Sequence, residues 1–167
     1  MNKLDNTYNL KQIGIIRTPY ENSAPYQPLQ NDENEFILIL DEKYKDGLKE
    51  LDKFSFIYII YYMHKIKKEP KMLITPPWAE NKTVGLFASR SPVRPNPIGI
   101  SIAEIKKIID NKIYTSGLDA FNNTPLLDIK PYINDLDKKS NAGYGWILDT
   151  NNEEHLNLHI KGIPHNH

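Results

Sequence analysis

The sequence predicts a mainly β chain folded as an antiparallel barrel or sandwich. Three observations carry that reading. Short apolar runs recur between turn signals, Ile98, Ile100 and Ile102 alternate strictly with their neighbours, and helical spacing is confined to one short stretch. The 167 residues fit a single domain, residues 1–167, and a hydrophobic content of 40% is enough for a real core.

Residues 10–17 are rich in isoleucine and stop at Thr18 and Pro19, which makes them the first expected strand. A polar loop with Pro25 and Pro28 follows, then a second strand over residues 35–40. Leu48 and Leu51 sit at helical spacing, so a short helix is expected over residues 44–53. Residues 54–63 are almost wholly apolar and aromatic, the pattern of a strand covered on both faces. A proline-marked loop over residues 69–80 leads to a strand at 84–88. The alternation that begins at Ile98 changes phase between Ala103 and Ile105, which signals a bulge or the end of pairing. Asp110 and Asn111 supply a turn before a strand over 112–118; Asn122 and Asn123 supply the next before a strand over 126–130. A closing hairpin is expected from residues 143–149 and 154–160.

Residues 85–101, GLFASRSPVRPNPIGIS, are the most informative stretch. Two arginines, three prolines and an asparagine stand between two apolar segments. Each proline fixes its own φ and pushes the preceding residue toward extended geometry, so Ser91, Arg94 and Asn96 lose much of their freedom. Guanidinium groups on a stiffened loop grip carboxylates or phosphates at a reduced entropic cost.

RSPVRPNPIGIS closely resembles the signature loop of the TsaA-like (TrmO) family, S-adenosylmethionine-dependent methyltransferases built on a small β-barrel. The resemblance continues through IGIIRTPY at residues 13–20, FSFIYIIYYMH at 54–64 and GLDAFNNTPLLDIKPY at 117–132, covering roughly residues 10–132 in the family's order. It implies the TsaA-like barrel with one short helix. S-adenosyl-L-methionine is the implied cofactor, and the implied acceptor is a transfer RNA bearing N6-threonylcarbamoyladenosine next to its anticodon. A homodimer is implied as well.

Methyl transfer from a sulfonium is an in-line displacement in which the protein aligns the reactants and excludes water. The resemblance places Arg90 at the cofactor, with His64 and the neighbouring Lys65, where many relatives carry glutamine. Ser116, Gly117, Leu118 and Asp119 match a segment that surrounds the cofactor. Glycine permits close approach of a ligand, and a carboxylate can accept from two ribose hydroxyls. Pro28, Leu29 and Gln30 match another lining segment, and Ile100 an apolar or backbone contact. Arg94 and Asn96 lie farther along the loop and could face the acceptor, whose threonine carboxylate suits a bidentate arginine. Lys130 and Tyr132 could hold phosphate and stack on a base, or end a strand with a packed aromatic. The acceptor nitrogen is delocalised into purine and carbamoyl group, so a base is plausible, and either His64 or Asp119 could serve.

Two rivals remain at the level of sequence. One keeps the cofactor and takes a small molecule or protein as acceptor; the other is a non-catalytic RNA-binding barrel. With 21 basic and 21 acidic residues, the chain has no summed field to hold polyanions, although Lys65, Lys67, Lys68 and Lys71 form a local cluster. Without cysteine, disulfides, thiolate zinc and a cysteine nucleophile are excluded. His155 and His159 alternate with leucines and an isoleucine and read as the polar face of a strand, so no metal is expected. The longest apolar run, residues 56–63, falls short of the ~20 residues of a membrane helix, and MNKLDNTYNL lacks a signal-peptide core. A soluble, cytoplasmic protein is expected.

Overall fold

The computed structural model describes residues 6–29, 31–77, 79, 82–149, 158 and 163. Its main strands are β1 (Gly14–Arg17), β2 (Phe36–Leu40), β3 (Phe56–Tyr62), β6 (Ile98–Ile109), β7 (Lys112–Thr115) and β8 (Thr124–Pro131). They close into a barrel in the order β1-β2-β7-β6-β3-β8, with β8 bonded back to β1. All six pairings are antiparallel. Closure leaves no edge strand in the ring, and it settles the choice between barrel and sandwich.

Period-two burial drives this arrangement. In β2 the side chains of Phe36, Leu38 and Leu40 point inward and are at most 5% exposed, while Ile37 and Ile39 are half-buried. Ile16, Ile57, Ile59, Ala103, Ile113 and Leu126 complete the same core from the other strands. The turn from β6 to β7 rests on Asp110 at φ 53°, and Asn123 at φ 61° precedes β8; both are residues that tolerate left-handed backbone. Asn111 then secures its turn to β2, its side-chain amide donating to the Leu40 carbonyl at 2.6 Å.

Several expectations are corrected. β3 is buried on one face only: Ile57, Ile59 and Tyr61 point inward, while Phe56 and Tyr62 are exposed. Its continuous apolar run reflects an apolar outer face rather than a second covering layer. Ile98, Ile100 and Ile102 of β6 belong to that outer face, with Gly99, Ser101 and Ala103 inward, whereas Ile105 and Ile108 pack against the core; the phase change is, of the two readings offered, the bulge, set against β7 between Ile105 and Lys107. The expected helix over 44–53 consists of two 3-10 segments, Glu42–Leu48 and Leu51–Lys53, separated by Glu50 at φ 69°. Within the loop over 69–80, β4 (Leu73–Ile74) pairs with β5 (Val84–Gly85), and the strand expected over 84–88 turns at Leu86–Ala88 into another 3-10 segment. A short α-helix, α1, is Asn134–Asp137. Gly145–Asp149 is a 3-10 turn where a strand was expected, because Gly145 at φ 60° breaks the extended run. Of residues 154–160 only Leu158 lies within the described residues, and it is helical where a strand was expected.

Among the described residues no helix is long and apolar enough to cross a membrane, and no three His, Asp or Glu side chains could hold a metal ion.

Candidate functional site

One end of the barrel gathers the loops that carry most of the candidates. Thr18 and Tyr20, just beyond β1, hold the segment between β7 and β8. The Thr18 hydroxyl donates to the Ala120 carbonyl at 2.8 Å, and the Asn122 amide donates to the Tyr20 carbonyl at 2.8 Å. Leu29 meets the same segment from the following loop. A Cβ on Gly117 would lie 3.3 Å from the Leu29 carbonyl oxygen and 3.3 Å from Cβ of Asp32, so these two loops approach closely at the glycine. Asp32 is fixed in turn by the Tyr20 hydroxyl, which donates to it at 2.6 Å.

Asp119 forms the polar centre. Its Oδ1 accepts from the Tyr61 hydroxyl and from Ser101 Oγ, each at 3.3 Å. Burial raises the pKa of the Asp119 carboxyl, opposed by hydrogen bonds from its own backbone, Ser101 and Tyr61 and by the positive charge of Arg90. Arg90, exposed at the start of the signature loop, is near enough for its charge to favour the ionised carboxylate. Burial also raises the Tyr61 hydroxyl, with the Asp119 charge adding to it, so Tyr61 remains a donor at any physiological pH.

His64 follows the end of β3. The signature loop returns beside it, since the Met63 amide donates to the Pro97 carbonyl at 2.8 Å. The His64 Nδ1 lies 3.4 Å from the hydroxyl of buried Thr124. Burial, then the charge of Lys65, lowers the imidazole pKa, which leaves the ring neutral and able to accept a proton near neutrality. Lys65 is already engaged, donating to the Glu21 carbonyl with its ammonium 4.3 Å from the centre of the Phe121 ring.

The structure thus brings Leu29, Gly117 and Asp119 to one end within reach of the Arg90 charge, with Pro28 adjacent to Leu29, His64 beside Thr124 at the start of β8 and Lys65 bonded to the Glu21 carbonyl. Other candidates have different surroundings. The Leu118 side chain is fully buried in the core and can offer a ligand only its backbone. Ser116 is bound to β6: its amide donates to the Glu104 carbonyl and its hydroxyl accepts from the Glu104 amide, both at 3.0 Å. Ile100 turns its side chain outward and is 61% exposed. Gln30 lies outside the described residues.

Arg94 fastens its own loop. Its Nη1 donates to the Ser89 carbonyl at 2.9 Å and lies 3.4 and 3.5 Å from the carbonyls of Leu86 and Ser91, with the guanidinium 5.6 Å from the centre of the exposed Phe87 ring. Asn96 is exposed, and its carbonyl accepts from the Ile98 amide at 2.7 Å. Lys130 pairs with Asp128 at 2.8 Å, and Tyr132 packs against Tyr58 and Phe56 with ring centres 5.6 and 6.4 Å away. Both lie at the opposite end of β3, since Lys130 faces Tyr58 whereas Leu126 faces Tyr61. At ~3.3 Å per residue, the length of β3 sets Ile57 on the order of 15 Å from Tyr62.

Sequence reasoning missed Tyr61 and Ser101. Their signal was parity: both fall on the inward register of their strands, where a polar residue needs a partner.

Residues 15–138 match the tRNA-methyltransferase O N-terminal domain. An S-adenosyl-L-methionine-binding protein of Archaeoglobus fulgidus is 38% identical over 130 residues, which cover 77% of this chain and 91% of that protein. The tRNA (adenine(37)-N6)-methyltransferase of Escherichia coli is 34% identical over 137 residues, or 76% of this chain and 58% of the enzyme. A longer probable S-adenosyl-L-methionine-binding protein of A. fulgidus is 36% identical over 88% of this chain, which spans 40% of its length. The crystal structure of TrmO from Pseudomonas aeruginosa superimposes with a TM-score of 0.69 at 27% identity, covering 84% of this chain and 62% of that one. The domain match and the shared fold agree: the chain belongs to the tRNA-methyltransferase O family.

Proposed function

We propose that this chain is an S-adenosylmethionine-dependent methyltransferase that modifies N6 of an adenine next to the anticodon of tRNA, the base carrying a threonylcarbamoyl group. The observation that carries the proposal is the gathering of Asp119, Gly117 and Leu29 at one barrel end, with the charge of Arg90 acting on the carboxylate, in a chain whose relatives are named for binding that donor and for methylating tRNA adenine. The donor set suits the molecule. A guanidinium answers a methionine carboxylate, and a carboxylate answers a ribose diol. When bound, S-adenosylmethionine supplies an electrophilic methyl on a sulfonium. The protein's part is to bind, orient and exclude water, and to take the N6 proton. With the Asp119 carboxylate given to the ribose, neutral His64 is the group available for that proton.

The tRNA reading draws on Lys67, Lys68 and Lys71, all exposed on the segment after His64. Each can neutralise a phosphate in a chain with no net positive charge. Work on tRNA would place the protein in the cytoplasm. The decisive experiment incubates the purified protein with labelled S-adenosylmethionine and tRNA, with and without the threonylcarbamoyl group, followed by nucleoside analysis. Label in methylated threonylcarbamoyladenosine alone is the expected result. Tight donor binding without transfer to either RNA would overturn the tRNA reading in favour of a different acceptor.

A homodimer is the second part of the proposal. On the outer face of the barrel Tyr58 stands opposite Ile102, Ile60 opposite Ile100 and Tyr62 opposite Ile98, an apolar patch with Phe56 at its end. Exposures of 41% for Tyr62, 61% for Ile100 and 48% for Ile102 are unusual for a solvated strand pair. A two-fold axis would lay this patch on its own copy. Ile100→Asp is expected to convert a dimer into a monomer, read by light scattering on a sizing column; a wild-type protein that is monomeric at high concentration would refute the pairing.

A further inference from the structure

Tyr61 and Ser101 face into the barrel from adjacent strands, 6% and 7% exposed, and the reaction as described gives them no task. Tyr61 stands opposite Gly99 in the β3–β6 ladder. A Cβ on Gly99 would fall 2.2 Å from Cε2 and 2.4 Å from Cζ of that ring, so the tyrosine lies against β6 in space that only glycine leaves open. Its hydroxyl thereby reaches the next inward residue, Ser101, with 3.2 Å between the oxygens. Both hydroxyls also reach Oδ1 of Asp119 at 3.3 Å.

A buried tyrosine is satisfied by one partner. Two donors converging on a single carboxylate oxygen have a further effect, because they select one rotamer and distinguish the two oxygens. No described side chain donates to Oδ2. We propose that Tyr61 and Ser101, seated by Gly99, are positioning residues that hold Asp119 by Oδ1 and leave Oδ2 for the ribose hydroxyls of the methyl donor. The inference rests on the donor site proposed above and assigns two further residues to it.

The test measures S-adenosylmethionine affinity by calorimetry on the full chain between pH 6 and pH 8, for Tyr61→Phe, Ser101→Ala and Gly99→Ala. Loss of a donor to a carboxylate weakens its orientation and favours its protonated form. Each of the first two variants should bind the donor roughly tenfold more weakly, the scale of one hydrogen bond to a charged group, with the greater loss at the acid end of the range. Gly99→Ala should act in the same direction although it removes no polar atom, because it displaces the ring. A purely structural role would lower the melting temperature and leave affinity and its pH dependence as in the parent. Should Tyr61→Phe fold poorly, Ser101→Ala carries the test alone. Affinities within twofold of the parent across the pH range, in a background where Asp119→Asn weakens binding, would overturn this inference and leave the donor site standing. A parent protein that binds no S-adenosylmethionine would overturn both.

Discussion

Gly14→Ala is expected to destabilise the barrel by more than ~3 kcal/mol, where a typical substitution costs about 1 kcal/mol. Gly14 lies in β1, which pairs with β2 on one side and β8 on the other, opposite Leu40 and Leu126. A Cβ there would stand 2.2 Å from the Ile39 carbonyl oxygen and 2.9 Å from the Leu40 Cα. Both are backbone atoms, so no rotamer change relieves the contact, and β1 must move away from β2. Movement is opposed on the other side by the Ile13 amide, which donates to the Leu126 carbonyl at 2.8 Å. The ring therefore opens or strains at its closing strand. For a chain of this size the loss corresponds to a fall in Tm of roughly 6–12 °C. Gly47→Ala is the control, since a Cβ there meets nothing within 4 Å and the substitution should be neutral to slightly stabilising. A Gly14→Ala protein that melts with Gly47→Ala would show that the strand shifts at no cost.

Which parts of this fold were legible depends on whether the signal was local. Turn chemistry is local, so Asp110 and Asn123 were found where left-handed backbone occurs. The bulge in β6 was legible because it disturbs a two-residue period within a few positions. The coverage of β3 was not. A strand whose outer face is apolar and one buried on both faces have the same composition, and only the closed ring tells which side of Phe56–Tyr62 is inside. The 3-10 segment at Glu42–Leu48 was hidden for a related reason: Leu48 and Leu51 suit any helical spacing, and their separation by left-handed Glu50 leaves no trace in the pattern.

The candidate site shows the same division. The motif pointed to residues 116–119, but Leu118 serves the core and Ser116 the ladder to β6, which a linear motif does not separate from ligand contact. Arg94 was read as free to face an acceptor, whereas the three carbonyls around its Nη1 belong to its own loop. Tyr61 and Ser101 became visible only when their strands were placed side by side.

Asp119→Asn is expected to lower methyl transfer roughly tenfold or more at limiting S-adenosylmethionine, the scale of losing hydrogen bonds from the ribose to a charged group, while leaving the fold no less stable at neutral pH. The two halves follow from one cause. Burial raises the pKa of the Asp119 carboxyl above its ordinary value of 3.8. The folded state thus binds this proton more readily than the unfolded state. Its contribution to stability is complete below the unfolded value and is lost as pH rises through the folded value. Near pH 7 the parent holds a charge that the barrel solvates poorly, with Arg90 and two hydroxyls as partial offset. The asparagine side chain carries no charge and keeps a carbonyl oxygen to accept from Tyr61 and Ser101, so melting curves of the two proteins should converge in acid and separate upward from about pH 4, with the variant the more stable. A site that works against its own fold in this way is the mark of a residue kept for chemistry. An Asp119→Asn variant that transfers methyl groups at the parental rate would remove Asp119 from the site, and one that melts lower than the parent at every pH would make the carboxylate a structural anchor.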